Sequence, residues 1–258
     1  MDNIILQATV GSTAHGLALE GTDDRDELGV YLEPIEHVVG FHDRETIIQR
    51  TAAVREGRHD APSQPGDVDL TLHSLRKFCR LALKGNPTIL ILLFAPPELC
   101  SVCQALGGQL QDLAPDIVSR RAGSAFLGYL QAQRQRLTGE RGQKNVRRPE
   151  LEAKYGFDTK YAMYMLRLGI QGIELLQTGR MTLPMAEPER SKLMDVRTGH
   201  IPLTDCLTWA GELEHEIRDL LDTSPLPEKP NEAKIEQWMC NVYLHRWKAT
   251  EASMWVKA

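Results

Sequence analysis

The chain has 258 residues, 42% hydrophobic and 25% charged, ordinary values for a soluble globular protein with material for one large domain or two small ones. Its net charge of −5 gives no global attraction to nucleic acid, so any polyanion site must be local. The start MDNIILQATV has no basic residue and the chain has five cysteines; no signal peptide is expected, nothing approaches the roughly 20 apolar residues that span a bilayer, and a reducing cytoplasm is expected rather than a disulfide framework.

In chain order, the apolar run Ile4 to Val10 predicts a buried strand that stops at Gly11-Ser12. Asp24 and Asp26 flank Arg25 and lead into a second apolar run, Leu28 to Leu32. Residues at i and i+2 of a strand share a face, so the two carboxylates project together. At that distance they repel unless a cation lies between them. Mg²⁺ is commonly held by one or two carboxylates plus substrate phosphates, and a Gly-Ser turn offers N–H groups and a hydroxyl to those phosphates.

Glu45 to Thr51 can form another strand, and Ala52 to Gly66, with two prolines and two glycines, reads as a mobile loop. Asp67 to His73 alternates strictly and predicts a strand. Asp67, Asp69, Thr71 and His73 share one face of it, so either aspartate could be a third carboxylate. Ser74 to Leu83 has helical spacing. In Lys84-Gly85-Asn86-Pro87, Gly85 suits a helix stop, Asn86 an N-cap and Pro87 the first turn of an apolar helix, Thr88 to Phe94. Cys100-Ser-Val-Cys103 is a lone CxxC with no second pair or nearby His, a weak zinc signal.

Ala114 to Leu137 is expected as one long helix. From Arg134 to Lys160, eight basic side chains face four acidic ones. That is either a solvated face or a local site for triphosphate or a nucleic-acid backbone. A helix is expected from about Asp158 or Thr159 to Thr178, stopped by Gly179. Leu203 to Leu221 is expected as a helix, Ser224 to Pro230 as a stiff linker and Asn231 to Trp247 as the last helix.

Three ordered blocks carry a resemblance. Val10-Gly11-Ser12 followed by Asp24-Arg25-Asp26 resembles the signature of the DNA polymerase β-like nucleotidyltransferase superfamily. DLTLHSLRKFCRLALKGNPTILILLF, from Asp69 on, resembles the second block of a bacterial and phage group within it. That group includes the RNA-repair, RNA-ligase-associated polymerase-β-like proteins and the YcgL-type predicted nucleotidyltransferases. Ile91 stands where the group has a Glu. Lys154 to Ala162 resembles the third block, with Phe157 for Tyr and Tyr161 for His.

The resemblance implies an α+β (α/β) fold: a nucleotidyltransferase domain with a small mixed sheet over 1–97, then a helical substrate-binding domain over 98–258. It implies transfer of a nucleoside monophosphate from an NTP or dNTP to a hydroxyl, with RNA as the acceptor, and release of pyrophosphate. Two Mg²⁺ or Mn²⁺ ions would be held by Asp24, Asp26 and Asp69, with Asp69 preferred to Asp67. Gly11 and Ser12 would hold the β- and γ-phosphates, and Arg148, Lys154 and Lys160 would neutralise triphosphate or acceptor. Asn86 and Asp158 are expected substrate contacts as well as caps. The alternatives are transfer to a small molecule or a protein, or a catalytically silent nucleotide-binding module.

Overall fold

The computed structural model describes residues 3–255 except 20, 22–23, 43, 59–60, 62, 65 and 141–147, with side chains described to residue 248. Strand β1 (Ile4–Thr9) leads into a single helical turn, α1 (Gly11–Ala14), and β2 (Arg25–Tyr31) follows. Next come α2 (Ile35–Val39), β3 (Thr46–Arg50), α3 (Thr51–Glu56) and β4 (Val68–Ser74). The five strands form one mixed sheet in the order β3-β4-β2-β1-β5. β2 and β4 run parallel, and the other neighbours are antiparallel. The fifth strand, β5 (Cys100–Cys103), lies beyond residue 97, so the sheet draws on both sides of the expected domain limit.

Asp26, Leu28 and Val30 of β2 pair with Asp69, Thr71 and His73 of β4, and alternation puts all six on one face. The apolar members Leu28 and Val30 are buried with Leu6 and Ala8 of β1. Helices α4 (Leu75–Ala82), α5 (Pro87–Leu93), α6 (Ala105–Asp112) and α7 (Ala114–Ile117) follow. Ser74 caps α4 by accepting from the Lys77 N–H. The apolar run in α5 is buried throughout, from Ile89 to Leu93, because the helix lies between β1, α6 and α8 (Arg120–Thr138).

The remainder is helical: α9 (Pro149–Tyr155), α10 (Thr159–Thr178), α11 (Glu189–Arg197), α12 (Leu203–Thr223) and α13 (Glu232–Trp255). α10 packs against α8, α9, α11 and α12, which is why it is apolar nearly all round. α13 returns to α4, where the Tyr243 hydroxyl accepts from the Arg76 N–H at 3.1 Å. Among the described residues no helix is long and apolar enough to cross a membrane.

Three expectations need correction. The helix expected over Ala114 to Leu137 is broken at Val118-Ser119, both extended. There the Arg120 N–H donates to the Pro227 carbonyl at 2.9 Å instead of to a helical carbonyl, a partner too distant in sequence for periodicity to reveal. The loop expected from Ala52 begins as α3, whose Ala52 is fully buried and whose end is closed by Gly57. The last helix runs past Trp247, to Trp255.

Gly85 has φ +73°, and a Cβ there would lie 2.4 Å from the Ala122 Cα. The turn between α4 and α5 thus touches the α8 backbone, which cannot withdraw as a side-chain tip can. Gly85→Ala is expected to lose about 2–4 kcal/mol from left-handed strain plus overpacking. Urea unfolding with an unchanged slope and a lower midpoint checks it; an unmoved midpoint contradicts the contact.

Candidate active site

β1 ends where the Val10 N–H donates to the Asp26 carbonyl at 2.8 Å. That bond holds the Gly-Ser turn against the start of β2. Gly11 has φ +65°, and a Cβ there would fall 2.4 Å from Asp26 Oδ2. The turn backbone therefore lies directly against the carboxylate. Ser12 is buried in α1, and its carbonyl accepts from the Leu17 N–H at 2.9 Å.

Asp24 immediately precedes β2, Asp26 lies within it, and Asp69 is Asp26's register partner on β4. One carboxylate oxygen from each lies within 4.8 Å of the others. Asp69 Oδ2 accepts from Arg50 Nε at 3.0 Å and from the Ser63 hydroxyl at 2.8 Å. Among the described residues its Oδ1 is buried with no hydrogen-bond partner. An orphaned carboxylate oxygen beside two further carboxylates is an oxygen-only donor set, which suits a hard divalent cation.

Asp67 is occupied elsewhere. Its Oδ1 accepts from Arg55 Nη1 at 2.5 Å and its Oδ2 from the Gln64 N–H at 2.8 Å. The Arg55 hydrogen bond first, then the Gln64 amide, hold its carboxyl below the usual carboxylate range. Asp67 ties the Gln64 backbone to Arg55 of α3; Asp69 is the one gathered with Asp24 and Asp26.

A cavity of about 490 Å³ opens over Asp26 and Asp69; Asp24 and Ser12 are not in its wall. Gly11, Asp26, Arg50 and Asp69 line it from the sheet side, and Tyr164 and Arg167 of α10 line it from the helical side. Arg148, Lys154 and Lys160 do not line it. Arg148 pairs with Asp158 at 3.2 Å. Lys154 is exposed, its ammonium 4.8 Å from the centre of the Tyr155 ring. Lys160 precedes Tyr164 and Arg167 by four and seven residues on α10, and so shares their helix face one turn nearer the start. Arg141, Lys144 and Arg147 lie outside the described residues.

Asn86 caps α5. Its carbonyl oxygen accepts from the Thr88 and Ile89 N–H groups, and its amide donates to the Tyr129 hydroxyl at 3.1 Å. Asn86 itself is not in the cavity wall, but Thr88 and Ile89 are. Asp158 caps α10, accepting from the Tyr161 N–H at 2.9 Å, and is buried. Cys100 and Cys103 are free thiols on β5 and join no group of metal-binding side chains among the described residues.

Sequence reasoning passed over Arg50, Arg167 and His15, all of which line the cavity. The signal for Arg167 was present: a single cation inside the apolar run MYMLRLGI. Arg50 gave none, since an arginine at a strand end is ordinary.

The chain is a protein of the DNA polymerase β type. Residues 2–241 match the family model described as RlaP, RNA repair pathway DNA polymerase beta family, and the chain belongs to that family. No curated protein matches it. Among solved structures, a nucleotidyltransferase-like protein from Exiguobacterium sibiricum 255-15 is 10% identical. The alignment covers 86% of this chain and 70% of that one, with a TM-score of 0.29, a likeness too loose to argue from.

Proposed function

We propose that the protein transfers a nucleoside monophosphate from an NTP or dNTP to a hydroxyl of RNA, in end repair or modification, and releases pyrophosphate. The observation that carries this reading is the gathering of Asp24, Asp26 and Asp69 within 4.8 Å, facing the Gly11 turn. Phosphoryl transfer asks a protein mainly for positioning and charge neutralisation. Asp24, Asp26 and Asp69 would hold two divalent ions, Mg²⁺ or Mn²⁺. Such ions, when bound, stabilise charge on the attacking and leaving oxygens. The same Asp69 carboxylate would accept the proton of the acceptor hydroxyl.

The Gly11 N–H and the Ser12 hydroxyl would receive the β- and γ-phosphates. Lys160 would extend the cationic wall from α10, and Arg148 and Lys154 would meet the acceptor outside the cavity. Asn86 and Asp158 would serve substrate through the backbone they cap; Asn86 fixes Thr88 and Ile89 in the cavity wall. In this reading residues 1–97, their sheet completed by β5, do the chemistry and the helical remainder binds substrate. RNA is favoured as acceptor by the description of the family.

Each α-labelled NTP is incubated with the protein, Mg²⁺ or Mn²⁺, and separate pools of RNA, protein and metabolites. Label in RNA supports the reading. Label confined to proteins or metabolites moves the acceptor, and no label in any pool from folded protein leaves a silent nucleotide-binding module. Within the same assay, Asp67→Asn is expected to retain transfer, because Asp67 clasps Arg55 rather than the acid cluster. Asp69→Asn is expected to lose it while still binding nucleotide. Equal losses in the two variants would contradict the assignment of the third carboxylate.

A further inference from the structure

Arg167 lies midway along α10 between buried Leu166 and Leu168 and is only 9% exposed. Its Nη1 donates to Oε1 of Gln171 and meets Nε2 of His15, each at 2.7 Å. Among the described residues Nε is buried with no partner and no hydrogen bond uses Nη2 either. The Tyr164 ring centre lies 5.3 Å from the guanidinium carbon. None of these neighbours is an anion. Gln171 is an amide, and burial first, then the Arg167 charge, hold His15 well below the usual histidine range, so it is neutral. Burial pushes Arg167 itself down to about 10, which still leaves it charged at neutral pH.

A buried cation with no anionic partner carries a large desolvation penalty. A guanidinium's Nε–Nη2 edge is the fork that meets two phosphate oxygens at once. Arg167 lines the same cavity as Gly11, Asp26 and Asp69. His15, against which it rests, is the C-cap residue of α1, the turn that opens with Gly11. The guanidinium is thereby tied to the Gly-Ser turn from the far side of the cavity.

We propose that Arg167 forms the floor of a phosphate subsite in which its Nε–Nη2 edge receives phosphoryl oxygens. Two sources offer that chemistry: the tail of the nucleotide, and a terminal phosphate on the acceptor. The subsite rests on the reading of this cleft as a nucleotidyl-transfer site, but its test needs no turnover.

Binding of three probes is measured without divalent metal: inorganic tripolyphosphate, an RNA oligonucleotide with terminal phosphates, and the same RNA without them. Wild type is expected to bind at least one phosphate-bearing probe. Arg167→Gln is expected to weaken that binding roughly ten- to a hundredfold and to leave unphosphorylated RNA unchanged. Arg167→Lys, which keeps the charge but loses the fork, falls between and serves in place of the Gln variant if that one does not fold. A loss confined to tripolyphosphate assigns the subsite to the nucleotide tail; a loss confined to phosphorylated RNA assigns it to the acceptor. Wild-type affinity for every probe in a folded variant, or no binding of either phosphate-bearing probe by wild type, overturns the subsite. Absent label transfer alongside Arg167-dependent phosphate binding would sink the proposed reaction and leave the subsite standing.

Discussion

Asp24→Asn and Asp26→Asn are each expected to abolish nucleotidyl transfer in a protein that stays folded. Loss of a metal-held charge clamp removes several kcal/mol of transition-state stabilisation. At about 1.4 kcal/mol per factor of ten, the rate falls by on the order of a thousandfold or more. Stability should move the other way. Three carboxylates within 4.8 Å repel one another when no cation lies between them. Neutralising Asp24 relieves part of that repulsion, so its Tm in EDTA should equal or exceed the wild-type value. A ligand that binds only the folded state raises Tm by mass action. Added Mg²⁺ or Mn²⁺ should therefore raise the wild-type Tm and lose most of that effect in either variant. Full turnover by Asp24→Asn with Mg²⁺ would remove that residue from the clamp; an equal metal-induced rise in all three proteins would remove the clamp itself.

The parts of the fold that were readable were those set by local repetition. The apolar run Ile4 to Val10 and the alternating run Asp67 to His73 each read as a strand, and β1 and β4 follow them. Gly85-Asn86-Pro87 states a helix stop and start in three residues, and Asn86 does cap α5. What stayed hidden depends on partners remote in sequence. Alternation puts Asp67 and Asp69 on one face and cannot separate them; Arg55, on a helix read as loop, does so by clasping Asp67. β5 is four residues long, and its CSVC reads first as a thiol motif. The charge run from Arg134 to Lys160 drew attention by density, yet Arg134 and Arg148 end in ion pairs with Glu214 and Asp158. The solitary Arg167 faces the cavity instead. In a folded chain one buried cation outweighs several solvated ones, because water screens the latter.

Gly11→Ala is the second expected large loss, and it separates two effects that a single methyl group combines. The first is conformational. Gly11 has φ +65°, a region that costs an L-residue roughly 1–2 kcal/mol. The second is a collision. The new Cβ would lie 2.4 Å from Asp26 Oδ2 and 3.2 Å from both Asp26 Cβ and Cγ. Either the carboxylate swings away from Asp24 and Asp69, or the turn retreats and takes its N–H groups out of reach of the phosphates. Each response displaces reacting groups by something near 1 Å, a misplacement that costs about a hundredfold in rate. Gly21 provides the control. It has φ +71° and nothing within 4 Å of an added Cβ, so Gly21→Ala carries the conformational cost without the collision. Gly21→Ala should lose about 1–2 kcal/mol in urea unfolding and Gly11→Ala at least as much, but only Gly11→Ala should lose about a hundredfold or more in kcat/KM. Should Gly11→Ala turn over as Gly21→Ala does, the contact between the Gly-Ser turn and Asp26 is not part of the reacting geometry.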